Sequence, residues 1–167
     1  MGNPGDLERY QRAQRYLDVE VVRLEPRTQS RDGKLDTVRR FNAALGDPQV
    51  AFHAIQVAGT SGKGSVCTFL AHGLHAAGQR TGLHVSPYLQ VITEKTWCDG
   101  RYCGPGEFAD AVDRVRPVAE DFRRWDECPA SVHGMASLAT SCEVFRSRGL
   151  DTVVMETGVG GRFDLVQ

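Results

Sequence analysis

Residues 58–65 read AGTSGKGS, a glycine-rich stretch that holds one of the three lysines in the chain. The apolar run FHAIQVA at 52–58 precedes it and predicts a buried strand. After it, apolar residues recur at helical spacing from Val66 to Ala77, where Gly78 predicts the end of a helix. A strand, a glycine loop and a helix in this order let successive backbone N–H groups surround an anion at the positive end of the helix.

The lysine inside the loop indicates a nucleotide phosphate site. A glycine turn at the start of a helix can be purely structural, but such a turn gains nothing from a lysine. We expect Lys63 to place a catalytic positive charge on the β- and γ-phosphates, and Ser65 to place a hydroxyl near the phosphates or magnesium. The spacing departs from the standard phosphate-binding loop because Gly64 separates these two residues. The predicted ATP-binding residues are Gly59, Thr60, Ser61, Gly62, Lys63, Gly64 and Ser65.

Helical and strand patterns alternate along the rest of the chain. They predict helices over 7–17, 34–45, 105–124 and 132–148, and strands over 52–58, 80–86 and 150–157. VITEKTWC at 91–98 and RYC at 101–103, on either side of Asp99-Gly100, predict a hairpin with a tight turn. Strands alternating with long helices indicate an α/β fold with a mainly parallel sheet flanked by helices.

Composition and charge exclude several classes of function. The net charge is −1, and no block of like charge favours nucleic acid or an anionic membrane as a partner. No apolar run approaches the roughly 20 residues that span a bilayer. The N-terminus lacks an apolar signal region and a myristoylation pattern. We therefore expect a cytoplasmic protein.

Five cysteines and five histidines are scattered through the chain. No cysteine pair has the close spacing of a zinc or redox site. Cys98 and Cys103 flank the predicted turn, so a disulfide or half of a metal site is the alternative to reduced, packed thiols. The histidines form no ligand cluster, and we expect His72 and His75 to face solvent.

Three ordered motifs identify a resemblance to a known family. VAGTSGKGS at 57–65, TGLHVSPYL at 81–89 and VVMETGVGGRFD at 153–164 are similar to motifs of the folylpolyglutamate synthase/dihydrofolate synthase family, within the Mur ligase superfamily. LDTVRRFNAALGDPQ at 35–49 also resembles a helix of that family. The resemblance spans about residues 34–166. It implies an incomplete Mur ligase central domain, which is similar to that of P-loop NTPases.

The resemblance also implies roles for residues outside the loop. Ser86 and Glu156 would be magnesium ligands, and both follow predicted strands, where ligands gather in open α/β sheets. The substrate-binding residues would be Arg162, Phe163, Asp164 and Leu165, near a pterin pocket. For Arg162 and Asp164, pairing with each other is an open alternative.

The activity implied is that of an ATP-dependent carboxylate–amine ligase. Such an enzyme adds L-glutamate to a folate or dihydropteroate carboxylate through an acyl phosphate, with Mg²⁺ as cofactor and ATP as substrate. Alternatives are a related ligase with a non-folate acceptor and a non-catalytic nucleotide-binding module. A peptidoglycan-precursor ligase fits the GVGGRFD cluster less well, and nothing in the sequence supports a small-molecule kinase.

Departures from the family pattern gather on the acceptor side and at the end of the chain. SVHGMAS at 131–137 lacks the Phe-Glu pair that the family shows there, and Ser86-Pro87 is followed by Tyr88 instead of histidine. The family continues with a further histidine, a modified lysine and a C-terminal domain. We expect an N-terminal helical segment over 1–50 and a partial ATP-binding domain over 51–167, with the C-terminal domain absent.

A partial domain predicts limited activity by the chain alone. We expect residual ATP binding without ligation, from either a fragment or a truncated reading frame. The strand at 150–157 is expected to leave an exposed apolar edge, with self-association or dependence on a missing C-terminal portion as the consequence.

Overall fold

A computed structural model describes residues 4–22, 33–124 and 128–158 of the chain. The α-helices of these residues are α1 (Pro4–Arg15), α2 (Lys34–Ala44), α3 (Lys63–Ala76), α4 (Pro105–Arg123) and α5 (Val132–Ser147). The strands are β1 (His53–Val57), β2 (Thr81–His84), β3 (Thr96–Cys98), β4 (Arg101–Tyr102) and β5 (Thr152–Glu156). A π-helical turn at Tyr16–Glu20 extends α1, and 3₁₀ turns occupy Pro48–Ala51 and Ile92–Lys95. None of the helices in the described part of the chain is both long and apolar enough to cross a membrane.

The strands form one sheet in the order β1-β5-β2-β3-β4. β5 pairs in parallel with β1 on one side and with β2 on the other, and its Val154 lies level with Ile55 and Leu83. β3 and β4 are antiparallel additions that follow β2. The α/β fold with a mainly parallel sheet is confirmed.

Helices cover both faces of the sheet. On one face, Cys67 and Ala71 of α3 pack against Val154 of β5. On the other face, Val153 and Met155 belong to a larger cluster with residues of α4 and α5. Because successive side chains of a strand point to opposite faces, the consecutive apolar residues of β5 supply both layers, as expected for a buried parallel strand.

The N-terminal helices pack into the larger of these two cores. Tyr10 of α1 makes an edge-to-face contact with Phe108 of α4, and Phe41 of α2 makes one with Phe122. Such aromatic pairs contribute about 0.5–1.5 kcal/mol beyond the area they bury. These helices share a core with α4 and α5, and the domain boundary expected at residue 50 stays a prediction.

The edge of the sheet differs from the prediction. β5 was expected to be exposed at an edge, which is wrong, because it is hydrogen-bonded to a strand on each side. Within the described residues, the open edge of the parallel part is β1, where His53, Ala54 and Gln56 are exposed. The strand predicted over 52–58 is therefore present, but the prediction that it is buried is wrong. The connection through α3 leads from β1 to β2, and the connection through α4 and α5 then returns the chain so that β5 lies between these two strands. Local patterns do not reveal this order. Self-association stays a prediction, and β1 is the edge that would mediate it.

The hairpin is confirmed at its turn and shorter than predicted in its strands. Asp99 and Gly100 have φ values of 50° and 92°, which suit a tight hairpin turn. The first strand of the hairpin was predicted over 91–98. Only Thr96–Cys98 is a strand there, because Ile92–Lys95 forms a 3₁₀ turn. All five cysteines are free and buried, which confirms the reduced thiols and excludes the disulfide. Burial raises the pKa of the Cys98 and Cys103 thiols to about 12.

One prediction concerns the close contact between β2 and α5. A Cβ at Gly82 would lie 2.9 Å from Phe145 Cδ1 and 2.9 Å from Leu150 Cδ1. We expect Gly82→Ala to lower the free energy of unfolding by about 1–3 kcal/mol through overpacking. Urea unfolding measures the loss. Adding Leu150→Ala removes one of the clashing side chains. The double variant should therefore lose less free energy of unfolding than the sum of the losses of the two single variants. Strictly additive losses would contradict the contact.

Candidate functional site

The predicted site residues that the structure describes gather at the carboxyl ends of the three parallel strands. β1 ends at Val57 and runs into the loop 58–62, and α3 begins directly at Lys63. Gly62 has a φ of 74°, in the left-handed region that favours glycine, and this conformation turns the chain from the loop into the helix. Gly59, Thr60 and Ser61 lie exposed in the loop, and Ser65 lies exposed in the first turn of α3. The predicted strand–loop–helix unit is therefore confirmed.

Lys63 folds back over this loop. Its Cγ lies 3.7 Å from the position that a Cβ on Gly59 would occupy, so the glycine leaves room for the lysine stem. Within the described residues, Lys63 makes no ion pair with a carboxylate. Its charge adds to the positive end of the α3 dipole, and both favour an anion at this point.

Ser86 and Glu156, 70 residues apart in the sequence, lie together. The backbone N–H of Ser86 donates a hydrogen bond of 3.0 Å to Glu156 Oε2. Glu156 ends β5 and Ser86 follows the adjacent β2, so the parallel pairing of these strands brings them together. Glu156 is a buried residue, with 8% exposure. The structure confirms that the two residues meet, and their role as metal ligands stays a prediction.

Gly64 provides the close approach between the first turn of α3 and this carboxylate. A Cβ on Gly64 would lie 3.6 Å from Glu156 Oε2 and 3.7 Å from Oε1. The hydrogen positions of the glycine thus face both carboxylate oxygens across a narrow gap. The Cβ atom of any other residue at position 64 would partly fill this gap.

The donors at this point fit magnesium better than an all-protein metal cage. The described part of the chain contains no group of three or more His, Cys, Asp or Glu side chains that could hold a metal ion. Mg²⁺ commonly uses one or two carboxylates together with substrate phosphates and water. A single carboxylate of a buried residue, a serine and the N-terminus of α3, where a phosphate is expected, match this pattern.

Cys67, one helical turn after Lys63, lies behind the site. Burial raises the pKa of its thiol to about 11, and the charge of Glu156 acts in the same direction. The thiol is therefore protonated near neutral pH and is not a nucleophile or a thiolate ligand.

Glu94 is a site residue that the sequence interpretation missed. Its carboxylate accepts the backbone N–H groups of Leu89, Gln90 and Val91 at 2.8, 3.2 and 3.4 Å. These hydrogen bonds, that of Leu89 first, lower the pKa of the Glu94 carboxyl. They hold the segment that follows Ser86. The three-residue spacing from Val91 to Glu94 is that of a capping box, but Val91 carries no side-chain hydroxyl to mark it.

Side-chain hydrogen bonds to α5 and to Asp18 also anchor the segment around Ser86 and Glu94. Lys95 Nζ donates to Ser137 Oγ of α5 at 3.0 Å, and Tyr88 Oη donates to Asp18 Oδ2 at 2.9 Å. His84 shares a 2.9 Å hydrogen bond with Ser141 Oγ. Burial, together with the Lys95 charge, lowers the pKa of His84 to about 3, so this histidine is neutral at physiological pH.

A cleft of about 300 Å³ opens beside these residues. It runs from the Glu156 carboxylate along α3 toward β4. Its lining, within the described residues, is Gly64, Thr68, Val85, Ser86, Pro87, Tyr88, Leu89, Glu94, Tyr102 and Glu156. The predicted substrate residues Arg162, Phe163, Asp164 and Leu165 lie outside the described residues.

Comparison with known proteins shows the family to which the chain belongs. The dihydrofolate synthase/folylpolyglutamate synthase of Bacillus subtilis is 31% identical over 133 residues, which are 78% of this chain and 30% of that enzyme. The chain is homologous to part of a folylpolyglutamate/dihydrofolate synthase. The predicted resemblance is confirmed. No family model matches the chain.

Solved folylpolyglutamate synthases share the fold. The Mycobacterium tuberculosis enzyme complexed with ADP superposes with a TM-score of 0.81 at 25% identity, over 96% of this chain and 34% of that one. A complex of a folylpolyglutamate synthase with AMPPCP and folate gives a TM-score of 0.80 at 28% identity, over 95% and 37%. The Mur ligase-type fold is therefore confirmed. The chain spans about a third of the length of these synthases.

Proposed function

We propose that this chain supplies the ATP-phosphate and magnesium site of an ATP-dependent carboxylate–amine ligase. One observation carries the proposal: α3 begins at Lys63, which makes no ion pair within the described residues, and the next residue, Gly64, lies against the Glu156 carboxylate, with its Cβ position 3.6 Å from Oε2. A lysine suits phosphate oxygens, and a carboxylate suits the metal that accompanies them. The folylpolyglutamate synthase homologues solved with ADP, and with AMPPCP and folate, support ATP as the nucleotide and a folate-type carboxylate as the acceptor.

The proposed reaction has two steps. An oxygen of the acceptor carboxylate attacks the γ-phosphorus of ATP, and the bond to the β-phosphate oxygen breaks, leaving an acyl phosphate and ADP. The amine of L-glutamate then attacks the acyl carbon, and inorganic phosphate leaves as the amide forms. The amine gives up a proton in this step.

The residues of this chain act mainly in the first step. The backbone N–H groups of the loop and of the first turn of α3 hold the phosphates, and Lys63 balances the negative charge that develops on the transferred group. Glu156 and Ser86 would hold Mg²⁺, which when bound neutralises phosphate charge. The Ser86 backbone N–H keeps the Glu156 carboxylate oriented toward the helix terminus.

The acceptor side rests on the sequence resemblance. We include in the proposal the substrate residues at 162–165, the division into a helical segment over 1–50 and a partial ATP-binding domain over 51–167, and a cytoplasmic location. A non-folate acceptor is the alternative within the same chemistry, favoured by the missing Phe-Glu pair at 131–137.

Lys63→Ala tests the nucleotide site. We expect the affinity for Mg–ATP to fall several-fold or more, because a charged hydrogen bond contributes about 1.5–3 kcal/mol. Isothermal titration calorimetry on the 167-residue chain measures it. Lys34→Ala is a closely matched control, because Lys34 also begins a helix after a glycine with positive φ, 77° at Gly33, but has no predicted phosphate site.

The two lysine variants separate the outcomes. The proposal expects only Lys63→Ala to weaken binding, with thermal unfolding of both variants close to that of the wild type. Equal affinities for all three proteins would refute the phosphate site. Because ATP binding without ligation is expected of the chain alone, phosphate release by the wild-type chain when glutamate and folate are added would contradict that expectation, and it would favour ligase activity of the chain itself over a nucleotide-binding module.

A further inference from the structure

Thr157 is a buried polar residue beside the site, and no sequence motif predicts a role for it. It directly follows Glu156 in the stretch VVMETGVGGRFD and has 0% exposure. Its hydroxyl donates a hydrogen bond of 3.2 Å to the backbone carbonyl of Val57. Val57 ends β1 and the glycine loop follows it, so this hydrogen bond joins the residue after the carboxylate to the residue before the loop.

The backbone already joins the same two residues. The N–H of Thr157 donates to the Val57 carbonyl at 3.1 Å, which continues the pairing of β5 with β1 past Glu156. A carbonyl oxygen has two lone pairs, so it can accept both donors of Thr157. The second hydrogen bond restricts rotation of the planar peptide group between Val57 and Ala58, and this group sets the direction in which the loop leaves the sheet.

Glu156 is held from the strand on the other side of β5. The backbone N–H of Ser86, which follows β2, donates to Glu156 Oε2, and Gly64 brings the first turn of α3 against the same carboxylate. β5 lies between β1 and β2 in the sheet. Two consecutive residues at its end, Glu156 and Thr157, therefore connect it to the ends of both neighbouring strands.

We propose that Thr157 is a positioning residue that sets the separation between the glycine loop and the Glu156 carboxylate. The inference rests on the proposed function, in which the loop holds the ATP phosphates and Glu156 holds the magnesium ion that accompanies them. Mg²⁺ demands near-ideal octahedral geometry, so a phosphate and a carboxylate share one ion only at a defined separation. Phosphate binding by the loop alone has no such requirement. The Thr157 hydroxyl should therefore affect ATP binding with magnesium more than ATP binding without it.

Thr157→Val tests this role, because valine keeps the branched shape and lacks the hydroxyl. Isothermal titration calorimetry on the 167-residue chain measures the affinity for ATP at saturating magnesium and again with EDTA in place of magnesium. We expect the affinity with magnesium to fall on the order of three- to tenfold, the loss typical of one hydrogen bond, and the affinity with EDTA to stay the same. Urea unfolding should match that of the wild type, because the Val57 carbonyl keeps the backbone N–H of residue 157 as a donor.

Two further variants separate positioning from packing. Thr157→Ser keeps the hydroxyl and removes a buried methyl group, so it should unfold at a lower urea concentration and bind Mg–ATP like the wild type. Thr81→Val is the matched control, because Thr81 also has 0% exposure and its hydroxyl also donates to a backbone carbonyl, that of Gln79 at 3.0 Å. Thr81 begins β2, at the end of the strand away from the site, and its substitution should leave the magnesium response unchanged.

The results distinguish the positioning role from the proposed function. Unchanged Mg–ATP affinity in Thr157→Val, an equal loss with magnesium and with EDTA, or the same loss in Thr157→Ser or Thr81→Val would overturn the positioning role alone. A wild-type chain that binds no ATP, or binds it equally with and without magnesium, would overturn the proposed function and the positioning role together.

Discussion

Glu156→Gln is expected to abolish the magnesium dependence of ATP binding while the chain stays folded. Glutamine has nearly the same shape, and its amide oxygen can still accept the Ser86 N–H that the carboxylate accepts at 3.0 Å. The substitution removes the negative charge that makes an oxygen donor attractive to a hard cation. It also removes a buried charge, so the fold is not expected to weaken.

Calorimetric titrations of ATP at several magnesium concentrations provide the measurement. For the wild type we expect affinity to rise with magnesium, and for Glu156→Gln we expect a loss on the order of tenfold or more at saturating magnesium, as for a lost contact with a charged group. If the chain ligates, turnover should disappear as well. A variant that keeps the wild-type magnesium response would show that Glu156 is only a strand-end carboxylate.

Asp151→Asn is the matched control for this experiment. Asp151 directly precedes β5, at the end opposite Glu156, and pairs with Arg80 on the surface at 2.7 Å. An exposed ion pair of this kind is screened by solvent and contributes little to stability. The same chemical change at the other end of the strand should therefore leave the magnesium response of ATP binding unaltered.

Gly64→Ala should lower the affinity for Mg–ATP by a similar factor, through steric blocking instead of loss of charge. The added methyl group would lie 3.6 and 3.7 Å from the two Glu156 oxygens, in ordinary contact with the carboxylate, so the fold tolerates it. The same methyl would occupy the gap between helix and carboxylate that the phosphate and metal need. We expect Mg–ATP affinity to fall on the order of tenfold, the loss typical of one charge-assisted contact.

Stability and binding should separate in this variant. Alanine replaces glycine within α3, so the free energy of unfolding should stay the same or rise by about 0.5–1 kcal/mol. Gly73→Ala, in the same helix with nothing within 4 Å of the new Cβ, should give a similar gain and keep full affinity. Wild-type affinity in Gly64→Ala would mean that the gap beside Glu156 is not used.

Local patterns were sufficient for most elements of the fold. The glycine loop, the helix that begins at Lys63 and the turn at Asp99-Gly100 follow from short-range spacing and from glycine conformations, and the structure agrees with each. Three motifs also identified the relatives. One local prediction was wrong, because Ile92–Lys95 is a 3₁₀ turn instead of a strand. One residue was missed, because no pattern indicated that Glu94 holds the segment after Ser86.

Local patterns did not predict which strands pair with one another. The sequence placed Val153–Met155 in a strand buried on both faces, which is correct, but not in the middle of the sheet. Pairing on both sides of β5 depends on how two long connections cross the faces of the sheet. Residue periodicity carries no information about which neighbours a strand will have.

The sequence by itself thus determined the glycine loop between a strand and a helix and the α/β class, because each depends on hydrogen bonds and side-chain alternation within a few residues. The tertiary structure alone decided that Glu156 lies against Gly64, that the Ser86 N–H orients this carboxylate, and that Tyr102 reaches the same cleft. Along the sequence, Gly64 is 38 positions from Tyr102 and 92 positions from Glu156. Only the order of strands in the sheet and the packing of α3 across them bring such residues together.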